Sequence, residues 1–279
     1  MVTGLSVLTR LESLSLTFLN AQALPDNAIR NPPPHARTLP ALTYFRFRGG
    51  PKYMRYLVAR IHSSLLESME ISFIHGEMLE FSELAKFIRS ADKLSLVDRG
   101  RVAFWPQYIS IELSQHLRGV DPKTLRIHPL LRSESEFRPS YLAQLCESCL
   151  PIPSPFESLY IYIPPEVMLP DVIDDPDAQW LELLRPFNTM KHLHLYRAAV
   201  SRVAQALGRN PLERVMEVLP ALENVFLSGL EHFGPVKDAM SEFADARQVS
   251  GRPVSIYIYR TGRGRWVRLT LGKSRNGSR

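Results

Sequence analysis

The chain has 279 residues, 45% hydrophobic and 22% charged, a balance that supports a sizeable core and excludes global disorder. No run comes near the roughly 18 consecutive apolar residues of a membrane helix, and two cysteines, Cys146 and Cys149, are too few for a disulfide scaffold. The net charge of +6 belongs to the end of the chain: residues 260–279 hold seven Lys or Arg and no acid, leaving 27 basic against 28 acidic residues elsewhere.

In chain order, one apolar phrase recurs. MVTGLSVLTR carries no secretory signal, so the expected compartment is the cytoplasm or nucleus. Next, LTRLESLSLTF places Leu11, Leu14 and Leu16 in the pattern L-x-x-L-x-L. Copies follow with Leu42, Phe45 and Phe47, then with Leu66, Met69 and Ile71, and more weakly with Ala91, Leu94 and Leu96. Leu125 and Ile127 mark a short copy, and Phe156, Leu159 and Ile161 restore the full one. Met190, Leu193 and Leu195, then Leu222, Val225 and Leu227, close the series. Steps between copies are 24 to 34 residues, at and beyond the ordinary leucine-rich-repeat length. Two copies share the tetrapeptide LPAL, at 39–42 and 219–222.

Amphipathic stretches alternate with the phrases. PKYMRYLVARIHSSL aligns Tyr53, Leu57 and Ile61, and FSELAKFIRS aligns Phe81, Leu84, Phe87 and Ile88 behind a capping Ser82. RPSYLAQLCESCL, DAQWLELLRPF (started by Asp177), VSRVAQALGRNPLERVMEVL and PVKDAMSEFADARQ continue the helices. Val102–Ser114 reads as a β-hairpin turning near Pro106, Ser255–Leu271 as another around Gly262–Gly264, and residues 20–38 and 163–176 as Pro- and Asp-rich excursions.

The expected fold is α/β: an irregular leucine-rich-repeat-like solenoid over residues 1–259, with a parallel sheet on one face, helices on the other and a hairpin inserted near 102–114. Residues 260–279 are expected to form a basic tail or terminal hairpin. A closed (β/α) barrel has the same element order, but its strands are buried on both faces. Here the strands alternate. Tyr44, Arg46 and Arg48 would face away from Phe45 and Phe47, and two arginines inside a barrel would cost several kcal/mol, by order of magnitude, without buried partners.

LTRLESLSLTF, LPALTYFRFRG, YLVARIHSSLLESMEISF, QWLELLRPFNTMKHLHL, MEVLPALENVFLSGL and ARQVSGRPV resemble the leucine-rich-repeat-like region of basidiomycete fungal F-box proteins, from about Leu8 to Val254. The resemblance implies a substrate-recognition array for a ubiquitin ligase. It departs from the family in two ways. Nothing before Leu8 supplies an F-box, so docking to the ligase adaptor is not expected. The Asn of regular repeats is replaced by Leu19, Gly50, Ile74, Ala198 and Leu230, which implies irregular curvature.

No phosphate loop, nucleophile elbow or zinc-protease motif is present, so no enzyme chemistry and no cofactor are expected. The lone C-x-x-C falls at helical spacing with Leu142 and Leu145 and reads as buried helix face. His192 and His194 share a strand face without a carboxylate or Cys beside them in sequence, and Asp171, Asp174, Asp175 and Asp177 lack the Gly and Glu of a calcium loop, so no metal is expected.

The expected binding surface is the outward row of the sheet: Tyr44, Arg46, Arg48, Tyr160, Tyr162, His192, His194, Tyr196 and Phe226. Tyr and Arg offer large contact area with few rotors. A protein partner or substrate is therefore expected, with no membrane. The alternative is a nucleic-acid partner held by the basic tail, with affinity falling steeply in salt.

Overall fold

The computed structural model describes residues 9–18, 37–74, 82–115, 124–129, 139–149, 156–167, 175–210, 212–229, 234–260 and 264–269. Along the chain these form β1 (Ser13–Thr17), β2 (Arg37–Thr38), β3 (Tyr44–Gly49), α1 (Pro51–Val58), β4 (Ile61–His62), β5 (Ser68–Phe73) and α2 (Ser82–Arg89). After them come β6 (Arg99–Phe104), β7 (Ile109–Ser114), β8 (Thr124–Pro129), α3 (Pro139–Cys149), β9 (Ser158–Ile163) and α4 (Pro176–Leu184). The chain continues through β10 (His192–Arg197), α5 (Ala198–Arg209), α6 (Leu212–Val218), β11 (Asn224–Ser228), α7 (Gly234–Val249), β12 (Ser255–Arg260) and β13 (Arg265–Arg268).

The protein is α/β, built on one 11-stranded, mostly parallel sheet in the order β1-β3-β5-β8-β7-β6-β9-β10-β11-β12-β13, with β2 and β4 paired separately. Among the described residues the sheet is open, with β1 and β13 as its edges. Period-2 alternation dictates this layer. In β3, β5, β9 and β10 the apolar member of each phrase is buried and its neighbours point to the other face. Phe45, Phe47, Met69, Ile71, Leu159, Ile161, Leu193, Leu195, Val225 and Leu227 are all fully buried. Each such side chain contributes about 1.5–3 kcal/mol of transfer free energy.

A second layer covers that face. Leu57 of α1, Leu84 of α2, Leu145 of α3, Trp180 of α4, Val203 of α5 and Met240 of α7 lie in the same core cluster as the strand residues. The helices touch in sequence, α1 to α2, α2 to α3, α3 to α4, α4 to α5 and α5 to α7. Where α5 meets α7 the approach is close enough that a Cβ on Gly208 would lie 3.0 Å from the Ala239 carbonyl oxygen. Only a glycine fits there without moving backbone.

The repeat is visible in the backbone. The residue before a strand offers its carbonyl to two N–H groups of the next one: Glu12 to Thr43 and Tyr44, Thr43 to Glu67 and Ser68, Asp98 to Glu157 and Ser158. The same fork recurs from Glu157 to Lys191 and His192, and from Lys191 to Glu223 and Asn224. A tight turn leads into three of the phrases, closed by N–H to carbonyl bonds from Leu42 to Leu39, Met190 to Phe187 and Leu222 to Leu219, and the same bond from Leu94 to Ala91 lies within a fourth. The Leu219–Leu222 turn is held from behind. Arg247 of α7, 1% exposed, donates to the carbonyls of Leu222 (2.6 Å), Leu219 (2.9 Å) and Arg252 (3.0 Å).

Several sequence expectations need correction. The sheet is mixed: β7 is antiparallel to β6 and β8, and β13 is antiparallel to β12. The phrase around Leu94 is no strand. It forms a 3-10 turn, Asp92–Leu96, that leaves Leu96 52% exposed, and the strand begins only at Arg99. The reason is topological, since β5 and β6 are separated in the sheet by β8 and β7, and the chain must cross that gap before pairing with β9. The first helix stops at Val58, and Ile61 enters β4 opposite Arg37. Helix α4 is capped by the side chain of Asp175, which accepts from the Ala178 N–H at 3.0 Å, and not by Asp177. Asp175 sits at φ 49°, a left-handed conformation that Asp tolerates. Ser255–Arg260 is a parallel neighbour of β11 as well as one arm of a hairpin. Residues 270–279 and most of the 20–38 and 168–174 excursions lie outside the described residues.

Candidate protein-interaction face

The face of the sheet opposite the helices carries one outward row per register position. In the middle row the pairings run Arg46, Glu70, Arg126, Glu112, Arg101, Tyr160, His194, Phe226, Tyr257 and Arg268. The first half is a charge ladder. Arg46 meets Glu70 at 3.3 Å and Arg126 meets Glu112 at 2.9 Å. Such half-exposed pairs add at most about 1 kcal/mol each.

The second half is a ring ladder. Tyr160 and His194 stack at 4.2 Å and 11°, His194 and Phe226 at 4.4 Å and 6°, and Phe226 and Tyr257 at 4.9 Å and 14°. These spacings match the distance between neighbouring strands, roughly 4.8 Å, so one ring per strand stacks face to face along the sheet. Every inner ring face is therefore covered by its neighbour and the ring edges point outward. Trp266 closes the far end edge-on to Phe226 (5.3 Å) and to Tyr259 (5.3 Å).

The flanking rows extend this surface. Tyr196 stacks at 6.5 Å on Tyr160, and Tyr162 leans on Trp105 at 5.6 Å. Trp105 in turn lies over Tyr108, and Tyr108 meets His128 edge to face. His192 accepts at Nδ1 from Asn224 Nδ2, 3.1 Å away. Ser68 and Thr124 share a hydroxyl hydrogen bond of 2.9 Å.

Burial holds His194 neutral. Desolvation in the ring stack, with smaller contributions from the neighbouring His192 and Arg99, pulls its pKa down to about 4, and among the described residues its Nδ1 has no hydrogen-bond partner. His128 is lowered for the same first reason, opposed by Glu70. Tyr196 is raised by burial and by Tyr160, so its hydroxyl stays protonated. The fixed charges of the face at neutral pH are thus six arginines (Arg46, Arg48, Arg99, Arg101, Arg126 and Arg268) and two glutamates (Glu70 and Glu112), among the described residues. Both glutamates are taken by Arg46 and Arg126.

The nine residues picked from sequence divide into two groups. Tyr160, Tyr162, His192, His194, Tyr196 and Phe226 lie on three adjacent strands and form the heart of the ring ladder. Tyr44, Arg46 and Arg48 stand on β3, five strand spacings away from β9, because β5, β8, β7 and β6 intervene. That places them about 24 Å from the rings, so the aromatic strip expected from sequence is interrupted by charge. The sequence reading missed Arg101, Arg126, Tyr257, Tyr259 and Trp266. The signal for Tyr257 and Tyr259 was present, since SIYIYR repeats the alternation of SLYIYI.

Other candidate chemistry disperses. Among the described residues, no three or more His, Cys, Asp or Glu side chains come together as a metal group would require. Asp175 is spent on its cap and Asp177 faces Arg209 at 3.7 Å, while Asp171 and Asp174 lie outside the described residues. Cys146 is buried in α3, and the Cys149 side chain lies outside the described set. No described helix is long and apolar enough to cross a membrane. Compared with protein-family models, curated proteins and solved structures, the chain matches none.

Proposed function

We propose that this chain is a non-enzymatic binding module, an irregular leucine-rich-repeat-like solenoid that holds another protein against the outward face of its sheet. The observation that carries the reading is the four-ring ladder of Tyr160, His194, Phe226 and Tyr257 with arginines in the same row. It is a large amphipathic surface of the residue types that dominate binding energy at interfaces. Fold stability alone asks only for β-formers on a half-exposed strand. It does not ask for six arginines against two acids. The recurring backbone fork and the in-order helix contacts support the solenoid part of the reading. The resemblance of the phrases to fungal F-box proteins supports a role of the substrate-recognition kind.

The test is affinity capture from native extract with nuclease present, comparing the protein with a variant carrying alanine at Tyr44, Arg46, Arg48, Tyr160 and Tyr162. A defined protein, retained through nuclease treatment and lost from the variant while the variant stays folded by circular dichroism, is the expected result. Equal retention by both forms, or retention of nucleic acid alone, contradicts the reading.

A further inference from the structure

The ring ladder has a chemical polarity that narrows its partner. Aromatic rings carry negative potential on their faces and positive potential at their edges. Here the inner faces are consumed by stacking at 4.2–4.9 Å, and edges are what the surface presents. The row is also bracketed by arginine: Arg101 pairs in register with Tyr160, and Arg268 with Tyr257. Glu112, which faces Arg101 across the hairpin, is engaged by Arg126. Among the described residues, neither Arg101 nor Arg268 has an ion pair, and the buried Nε of Arg99 has no acceptor. Five further acids, Glu12, Glu67, Asp98, Glu157 and Glu223, each sit one residue before a strand, at the rim of the sheet and outside the middle row. The middle row is left as a positive-edged track between two unpaired cations.

We propose that this track binds an acidic, extended peptide segment of the partner, lying across the strands with carboxylates held by Arg101 and Arg268. The proposal deepens the sheet-face reading and rests on it. Five strand spacings separate the two arginines, about 24 Å, which an extended chain covers in about seven residues. Between them, carboxylate and carbonyl oxygens meet the edges of Tyr160, His194 and Tyr257, while Trp266 meets Phe226. A single-stranded nucleic acid is also anionic, but such sites hold bases on exposed ring faces. The inner faces of this ladder are already covered.

Fluorescence anisotropy with the full chain tests this. The probes are labelled peptides of about ten residues, long enough to span the row, alternating Glu with Ser or Lys with Ser, and an oligothymidylate of the same length. The variants are Arg101→Glu/Arg268→Glu, its milder form Arg101→Gln/Arg268→Gln, and a charge-matched control, Lys52→Glu/Lys237→Glu, on exposed helix positions. Saturable binding of the Glu peptide is expected, at least ~10-fold tighter than the Lys peptide, weakened ~10-fold or more by the glutamate pair and less by the glutamine pair. The Lys52/Lys237 control is expected to stay within ~2-fold of wild type. No saturable Glu-peptide binding, an equal loss in the control, or tighter binding of oligothymidylate overturns the proposal. A captured protein that depends on the sheet face but contacts it through a non-acidic segment overturns the proposal too, and leaves the sheet-face interface standing.

Discussion

Replacing Arg247 by Met removes a buried charge and is nevertheless expected to destabilise the protein. The guanidinium is 1% exposed, and the groups it reaches are neutral: the carbonyls of Leu222, Leu219 and Arg252, with Met216 Sδ at 3.0 Å. Burial, with Arg252 as a nearby cation, lowers its pKa. The arginine therefore gives up part of its hydration to act as a multi-pronged donor, and its stem packs like an apolar side chain. Methionine keeps much of that stem. It leaves the carbonyls of Leu219 and Leu222, both in fully buried residues, without their strongest donor. An unsatisfied buried acceptor costs roughly 1–3 kcal/mol, and the relief of removing a desolvated charge offsets part of this. The expected net loss is about 2–4 kcal/mol for Arg247→Met. Lysine is expected to recover less than half of it, because a single ammonium cannot reach three divergent carbonyls in the arginine geometry. Urea unfolding followed by circular dichroism measures this, read as a lower midpoint at unchanged slope. Hydrogen exchange at Leu222 and Glu223 adds the local readout. A change below about 0.5 kcal/mol for Arg247→Met, or full rescue by lysine, would refute the idea that these bonds hold the turn before β11.

Further outcomes follow from the same geometry. His194 titrates at about 4 in the fold against 6.5 ordinarily. The unfolded chain therefore binds the extra proton first, and stability falls as pH drops from about 6.5 to 4, by roughly 2 kcal/mol after solvent screening. His194→Phe keeps the ring stack and should flatten that slope; an unchanged slope in pH-dependent melts contradicts the assignment. Gly208→Ala drives a methyl into the Ala239 backbone and should cost about 1–3 kcal/mol in the urea midpoint; a neutral result would mean that α5 and α7 separate freely. Asp175→Ala removes the cap of α4 and should cost about 1 kcal/mol, while Asp175→Asn should be nearly neutral, both read from thermal melts.

Much of this fold was legible because an apolar phrase and a strand obey the same period. In Phe45-Arg46-Phe47 and Leu193-His194-Leu195, where two residues of the phrase flank a polar or aromatic one, burial alternates in the structure. Ala91-Asp92-Lys93-Leu94-Ser95-Leu96 satisfied the spacing as well, yet it became a 3-10 turn. Local pattern cannot report that the following strand must first clear two others. For the same reason the place of β8 beside β5 was invisible: its two apolar residues suit any parallel neighbour, and pairing at long range decides.

The site was legible to the extent that it lay on regular copies. Tyr160, His194 and Phe226 fall at equivalent positions of three successive phrases, so their stacking follows from register alone. Arg101 was missed because it stands just ahead of a hairpin read as an insertion, and Arg126 because it lies in the shortest copy, between Leu125 and Ile127, on the far side of that hairpin. Arg247 was missed for a different reason. Its helix has polar residues on several sides, and only the tertiary position of the Leu219–Leu222 turn makes one of them internal.

Site-specific photo-crosslinking tests the central claim most directly. Benzoylphenylalanine placed at Tyr162 or Tyr196 reports on the sheet face, and at exposed Glu217 on the helix side. The same protein partner crosslinked from both sheet positions, and not from Glu217, is the result expected. Crosslinks concentrated at Glu217, or equally spread over the three sites, would contradict binding through the sheet.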